Sequence, residues 1–266
     1  MIGGKEVVVH AHRRLRRGAL IWAGVLLALI FSVMAAWPGF RDSETGVLTD
    51  DLPTAVTRAF GLSDLGDPAG FLDSNLFSLV LPLLLICVAV AWANGLTAGD
   101  EDAGRLEVEL SLPVTRAGLM VRRFIVAAGW LVGLGVVVVL GLLVAMPALD
   151  LDASLARTMG ATAAVVLLAI LHGAVYYCAA GLGAPRNQAL GIAGGVAGAG
   201  YVLRSLLPLS EPLEPVEVVS PWYWLLGDGP VQHGVPIGGA VLALVMVGVL
   251  LMVGNWGLTR RDIRPA

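Results

Sequence analysis

The amino-acid sequence predicts an all-α polytopic membrane protein with six transmembrane helices and both termini in the cytoplasm. Three observations lead there. Of 266 residues, 57% are hydrophobic and only 14% charged, where soluble domains carry about a quarter charged residues. The apolar residues gather into runs of bilayer-crossing length. The basic residues sort to one side of those runs. In water a chain of this composition would expose large apolar patches, so lipid is the solvent that fits it.

The apolar runs cover residues 19–37, 76–96, 119–146, 159–182, 189–207 and 235–256. A spanning helix needs roughly 20 mostly apolar residues, and each run meets that need. The third is long enough to tilt or to extend past the hydrocarbon. None alternates with period two, which argues against a transmembrane barrel. Basic residues precede the first run, as in a signal peptide. Its apolar stretch of about 18 residues nevertheless exceeds the roughly 7–15 of such a peptide, which predicts an uncleaved span.

Orientation follows from lysine and arginine. With the N-terminus inside, the cytoplasmic side holds Lys5, Arg13, Arg14, Arg16, Arg17, Arg105, Arg116, Arg122, Arg123, Arg186, Arg260, Arg261 and Arg264. The outer side holds only Arg41, Arg58, Arg157 and Arg204. This is the positive-inside pattern of a multi-pass protein of the cytoplasmic membrane. The net charge of −3 averages two faces of opposite sign. The basic residues lie at span ends, so nothing in their placement calls for nucleic acid. No segment between spans exceeds about 38 residues, shorter than the roughly 50 of a small domain. Residues 1–266 therefore read as one transmembrane domain.

Inside the spans, the sequence places one ionisable side chain well within a run, His172. It reads as an interhelical histidine hydrogen-bonded to a backbone carbonyl or to a neighbour such as Tyr176. Ion-coupled transporters carry Asp, Glu, His or Arg chains at membrane depth, and one histidine makes no such relay. Cys87 and Cys178 read as packing residues. Neither metal-ligand nor nucleophile motifs occur, so no catalytic, metal or cofactor site is expected and the chain is not read as an enzyme. Glycine pairs four apart, Gly191 with Gly195, Gly194 with Gly198 and Gly129 with Gly133, allow close helix approach. They fit packing within the chain or across a dimer.

The segment between the second and third runs, residues 94–117, is the most informative. Asp100, Glu101 and Asp102 gather at the first turn of a short helix, where the dipole favours negative charge. Leu106 and Leu110 are four apart and share a face, and Arg105 can pair with Glu109. Pro113 disfavours helix at Leu112. The pattern predicts an amphipathic helix over residues 100–112. One placement lies on the lipid surface, but surface helices favour basic polar faces. The acidic start suits a protein groove better.

Here the sequence resembles the export permeases of ATP-binding-cassette transporters of the ABC-2 type. The residues that carry the resemblance are Gly95, Ala98-Gly99-Asp100-Glu101, Gly104, Leu106-Glu107, Leu110-Ser111 and Pro113-Val114-Thr115-Arg116. Arg105 stands where Thr is common, and Glu109 falls in what is often a Leu-rich stretch. Softer matches are Gly70-Phe71-Leu72, Pro82-Leu83-Leu84, Ser220-Pro221-Trp222-Tyr223-Trp224, Arg261-Asp262 and the basic start Arg13-Arg14-Leu15-Arg16-Arg17.

The resemblance implies that residues 100–112 are a coupling helix docking on a separate ATPase subunit. Asp100, Glu101, Gly104, Leu106, Glu107, Leu110, Pro113 and Arg116 would be its working residues. ATP and Mg would be bound by that ATPase, and a second permease copy or paralogue would complete the assembly. It further implies an interfacial elbow helix around residues 10–17 and an outer-leaflet hairpin within 203–234. On sequence grounds alone, Trp222, Tyr223 and Trp224 suit an interface belt. Residues 39–73 form an outer segment, either a small lid or a solvated loop. The substrate expected from such an apolar interior is hydrophobic or amphipathic. An ion-coupled secondary transporter or a channel is the alternative.

Overall fold

The computed structural model describes residues 2–41, 66–102, 115–206, 211–227 and 229–260, and these are helical almost throughout, without strands. Helix α1 is Ile2–Arg41. The second span begins with α2, Pro68–Leu72, passes through a π-helical turn, Asp73–Phe77, and continues as α3, Val80–Gly95. Short α4, Ala98–Asp102, follows. Then come α5, Arg116–Ala148, α6, Leu155–Gly181, and α7, Arg186–Ser205. A 3-10 helix, Glu211–Val219, precedes α8, Pro221–Leu226, and α9, Ile237–Arg260.

Among the described residues, five helices are long and apolar enough to cross a membrane: Glu6–Arg41, Pro68–Gly95, Ala117–Ala148, Leu155–Gly181 and Ile237–Arg260. The chain is thus a helical multi-pass membrane protein. The run at 189–207 does form a helix, α7, yet it falls short of these five in apolarity. Arg186, Asn187, Gln188, Arg204 and its many glycines lower it.

Helix α6 is the centre of the bundle. Its most apolar window is 78% buried, against 11% for α9, which separates the core helix from the most lipid-exposed one. Helices α3, α5, α7, α8 and α9 all pack on α6, while α1 packs chiefly on α5. Helices α1 and α5 run parallel. Val7 clusters with Leu119 and Met120, the rings of His12 and Trp130 stack at 4.9 Å, and Leu27 and Ile30 meet Gly141. Helix α7 runs antiparallel to α6. Ala189 and Ala193 pack with Tyr176, Ala179 and Ala180 at one end, and Arg204 reaches Gly227 at the other.

Local signals explain the boundaries. Asp67 caps α2 by accepting from the amides of Ala69 and Gly70, with Pro68 at the first helical position, the arrangement that starts helices best. Thr115 caps α5 and Ser154 caps α6. Gly183, at φ +99, ends α6 in the left-handed conformation that stops helices. Ser220 and Pro221 start α8, and the Ser220 hydroxyl also donates to the Gly200 carbonyl at 2.6 Å.

Three expectations are corrected. Residues 10–17 are not a separate elbow: α1 runs unbroken from Ile2 to Arg41. The reason is its buried stripe, Val7, Ala11, Leu15, Ala19, Leu26, Ile30, Met34 and Trp37. The stripe repeats at the three- and four-residue spacing of one helix face, so the basic half packs on the same face as the apolar half. Trp222 is no belt residue, because it is buried and donates from Nε1 to Ala197 O at 3.1 Å.

The third correction concerns glycine. An added Cβ at Gly129, Gly191, Gly194, Gly195 or Gly198 would meet nothing among the described residues, so these make no close approach to another described helix. The close approach lies between α6 and α9. There a Cβ on Gly254 would sit 2.9 Å from Cys178 Cα, and one on Gly257 2.9 Å from Gly181 O.

Candidate functional site

The acidic signature after the second span folds into a compact anchor. Thr97 Oγ1 donates to Ala93 O at 2.6 Å, Thr97 N to Asn94 O at 3.2 Å, and Asp100 N to Thr97 O at 2.9 Å. The first two take up carbonyls left free at the end of α3, and the third leads the chain tightly into α4. Gly99 is required by this path, since a Cβ there would lie 2.8 Å from Asn94 O.

Asp100 arrives at the centre of an ionic hub. Arg14 Nη1, from α1, donates to both carboxylate oxygens at 2.7 Å. Arg123 Nη2, from α5, lies 3.1 Å from Oδ2. The same guanidinium donates through Nη1 to Leu96 O at 2.7 Å. Asp100 and Arg123 are buried to 0% and 2% exposure, whereas Arg14 keeps 31%. Water therefore screens the outer pair and not the inner one. Charge-assisted bonds of this length, away from solvent, are among the strongest a protein makes. One carboxylate thus ties α1, the α3–α4 connection and α5 together.

The tie extends to the centre of the bundle. Tyr176 donates to Asn94 Oδ1 at 2.8 Å, and Tyr177 donates to Asn255 Oδ1 at 3.2 Å. Neighbouring residues on a helix point about 100° apart. The adjacent tyrosines of α6 can therefore hold α3 on one side and α9 on the other.

The site residues read from sequence fare unevenly. Asp100 is buried and internally paired, so its carboxylate braces the signature segment and is not presented to a partner. Glu101 lies in α4, and Arg116 is the first residue of α5. Gly104, Leu106, Glu107, Leu110 and Pro113 lie outside the described residues, as does most of the helix expected at 100–112. His172 is fully buried, with Nδ1 2.8 Å from Leu168 O of its own helix, so its bond runs along α6 and not between helices, and among the described residues its Nε2 meets no partner. Tyr176 bonds to Asn94.

Sequence reasoning missed Arg14, Asn94 and Arg123. For Arg14 a signal existed. It sits three residues after Ala11 and four before Gly18, next to Leu15 of the buried stripe of α1, so its side chain leaves the helix at the edge of the packed face. His172 is also not the only buried ionisable group, since Asp73 and Arg123 lie inside the bundle too. No protein-family model matches this chain, and no curated protein is significantly similar to it.

Proposed function

We propose that this chain is the transmembrane permease subunit of an ATP-driven exporter of the ABC-2 type. It would move a hydrophobic or amphipathic substrate across the cytoplasmic membrane. Separate ATPase subunits would bind ATP and Mg, and a second permease copy or paralogue would complete the transporter. The observation that carries the reading is the anchoring of the acidic signature. Residues 98–102 are fastened through Asp100 to α1 and α5, so a push on the segment that follows would reach both helices as one rigid body.

Six spans with both termini inside are part of the proposal. In support, α7 is a 20-residue helix that turns back along α6 in the opposite sense, although it is less apolar than the others. The basic residues gather at the Asp100 end. Maleimide labelling in intact cells tests this arrangement. With a membrane-impermeant reagent, Glu214→Cys is expected to label and Arg186→Cys to be spared, and the reverse pattern inverts the topology.

The decisive experiment addresses the ATPase. Replacing Leu106 and Leu110 together by Asp is expected to abolish co-purification of the ATPase while membrane abundance stays normal, because neither residue lies in a span. Each leucine would contribute roughly 1.5–3 kcal/mol if fully desolvated in a partner groove. A double variant that inserts normally and keeps its ATPase sinks the docking assignment.

A second reading, an ion-coupled transporter, gains from Asp73 and His172, since ionisable groups at membrane depth mark ion paths. Against it, Asp73 is already taken up by backbone amides, and His172 is bonded along its own helix. Transport that stops on proton-gradient collapse and persists on ATP depletion would favour this reading over the first.

A further inference from the structure

The turn between α8 and α9 is gripped by charged side chains from three other elements. Asp73, in the π turn of the second span, accepts from Val231 N at 3.0 and 3.1 Å and from Gln232 N at 2.9 Å. Arg204, in the last turn of α7, donates through Nε and Nη2 to Gly227 O at 3.1 and 2.8 Å. Arg157, in the first turn of α6, donates to Gln232 O at 2.5 Å. Val231, 1% exposed, plugs into the main apolar core.

Both sides of this contact depart from regular helix. Gly227, Gly229 and Gly234 stand at φ +47, +111 and +88, conformations that glycine adopts without strain. A Cβ at Gly229 would lie 2.7 Å from Asp73 Oδ2, so the carboxylate seats against bare backbone. On the other side, the π turn closes with Ser78 N donating to Asp73 O at 2.7 Å. Leu79 then departs from helical geometry, at φ −141 and ψ −54. Single π turns recur at functional sites, and this one separates the Asp73 end of the span from α3. A carboxylate buried at 7% exposure is tolerated only while its partners stay in place. Those partners are the amides of a turn, not of a helix.

We propose that residues 229–234 form a latch closing the end of the bundle opposite Asp100. Asp73 keeps it shut, and Arg157 and Arg204 are secondary catches. This goes beyond the permease reading and does not depend on it.

The test uses the full chain, purified in detergent, with Cys87→Ala and Val231→Cys. The native Cys178, buried near the other end, is the internal reference. Labelling by a fluorescent maleimide is followed at each cysteine by peptide mass spectrometry. Adding Asp73→Asn removes the negative charge and turns one of the two acceptor oxygens into an NH2 donor beside the amides of Val231 and Gln232. It is expected to raise the rate at position 231 at least tenfold while Cys178 stays unchanged. Equal rates at 231, or a parallel rise at Cys178, overturn the latch. Should Asp73→Asn yield no folded protein, Arg157→Gln with Arg204→Gln leaves Asp73 intact and is expected to raise the rate several-fold. An unchanged rate in that pair overturns the proposal. So does failure of the pair to fold, because a latch opens without dismantling the bundle.

Discussion

Asp100→Ala is expected to lower the stability of the purified protein by about 3–5 kcal/mol, the range for removing one partner of a buried ion pair. The loss comes from what remains. Arg123, at 2% exposure, keeps its charge inside the bundle after its carboxylate partner is gone, while its bond to Leu96 O is to a neutral carbonyl. Arg14→Gln removes the other arm of the hub, but Arg14 is 31% exposed, so its loss should cost no more than about 1 kcal/mol.

The pair Asp100→Leu with Arg123→Leu should recover most of the stability, since apolar side chains of similar size often replace a buried ion pair without loss. Denaturant titration in detergent, read by far-ultraviolet circular dichroism, measures all of these. A single Asp100→Ala variant as stable as the parent would refute the hub. The recovered Leu–Leu variant has a further use: it is folded yet lacks the bond from residue 100 to Arg14. If the permease reading holds, it should retain its ATPase but lose the link between ATP hydrolysis and transport.

What the sequence conveyed and what it withheld divide along one physical line. Helix positions depend on the local run of apolar residues, and each expected span falls on a helix. Neighbour relations depend on which helix faces which, and one sequence does not state them. The overlapping glycine pairs at 191–198 mark a smooth face, but no described residue lies against the glycines. The glycines used for close packing, Gly181, Gly254 and Gly257, stand on two helices far apart in sequence.

Asp100 was legible as part of a signature but not as a buried group, because its partners come from residues 14 and 123. Asp73 was missed because the second apolar run was read as starting at Leu76. The Asp67-Pro68 pair, a cap followed by proline at the first helical position, was the available sign of an earlier start. The basic segment of α1 was taken for an elbow by analogy. Its own four-residue stripe of Val7, Ala11 and Leu15 already pointed to packing continuous with the span.

Gly181→Val is the second change expected to act strongly. Helix α9 presents large aliphatic residues outward over most of its length, among them Ile237, Leu244 and Met252. Lipid is as apolar as these side chains, so they do little to hold α9 to the bundle, and close backbone packing must do so. The seam at Gly181, Gly254 and Gly257 provides that packing, reinforced by the bond from Tyr177 to Asn255. A side chain at 181 would run into the backbone of Gly254, which cannot rotate away as a flexible side chain would, so the two helices must part. The expected cost is at or above the upper end of the roughly 1–3 kcal/mol typical of overpacking. It should appear as a lower denaturation midpoint and as easier proteolytic release of the C-terminal helix. Gly194→Val is the matched control. Its Cβ meets nothing, and the folded chain should change by no more than about 0.5 kcal/mol, as at other sites without specific contacts. If the two substitutions prove equally harmful, helix propensity and not the α6–α9 seam governs the cost, and α9 is held by something other than its glycines.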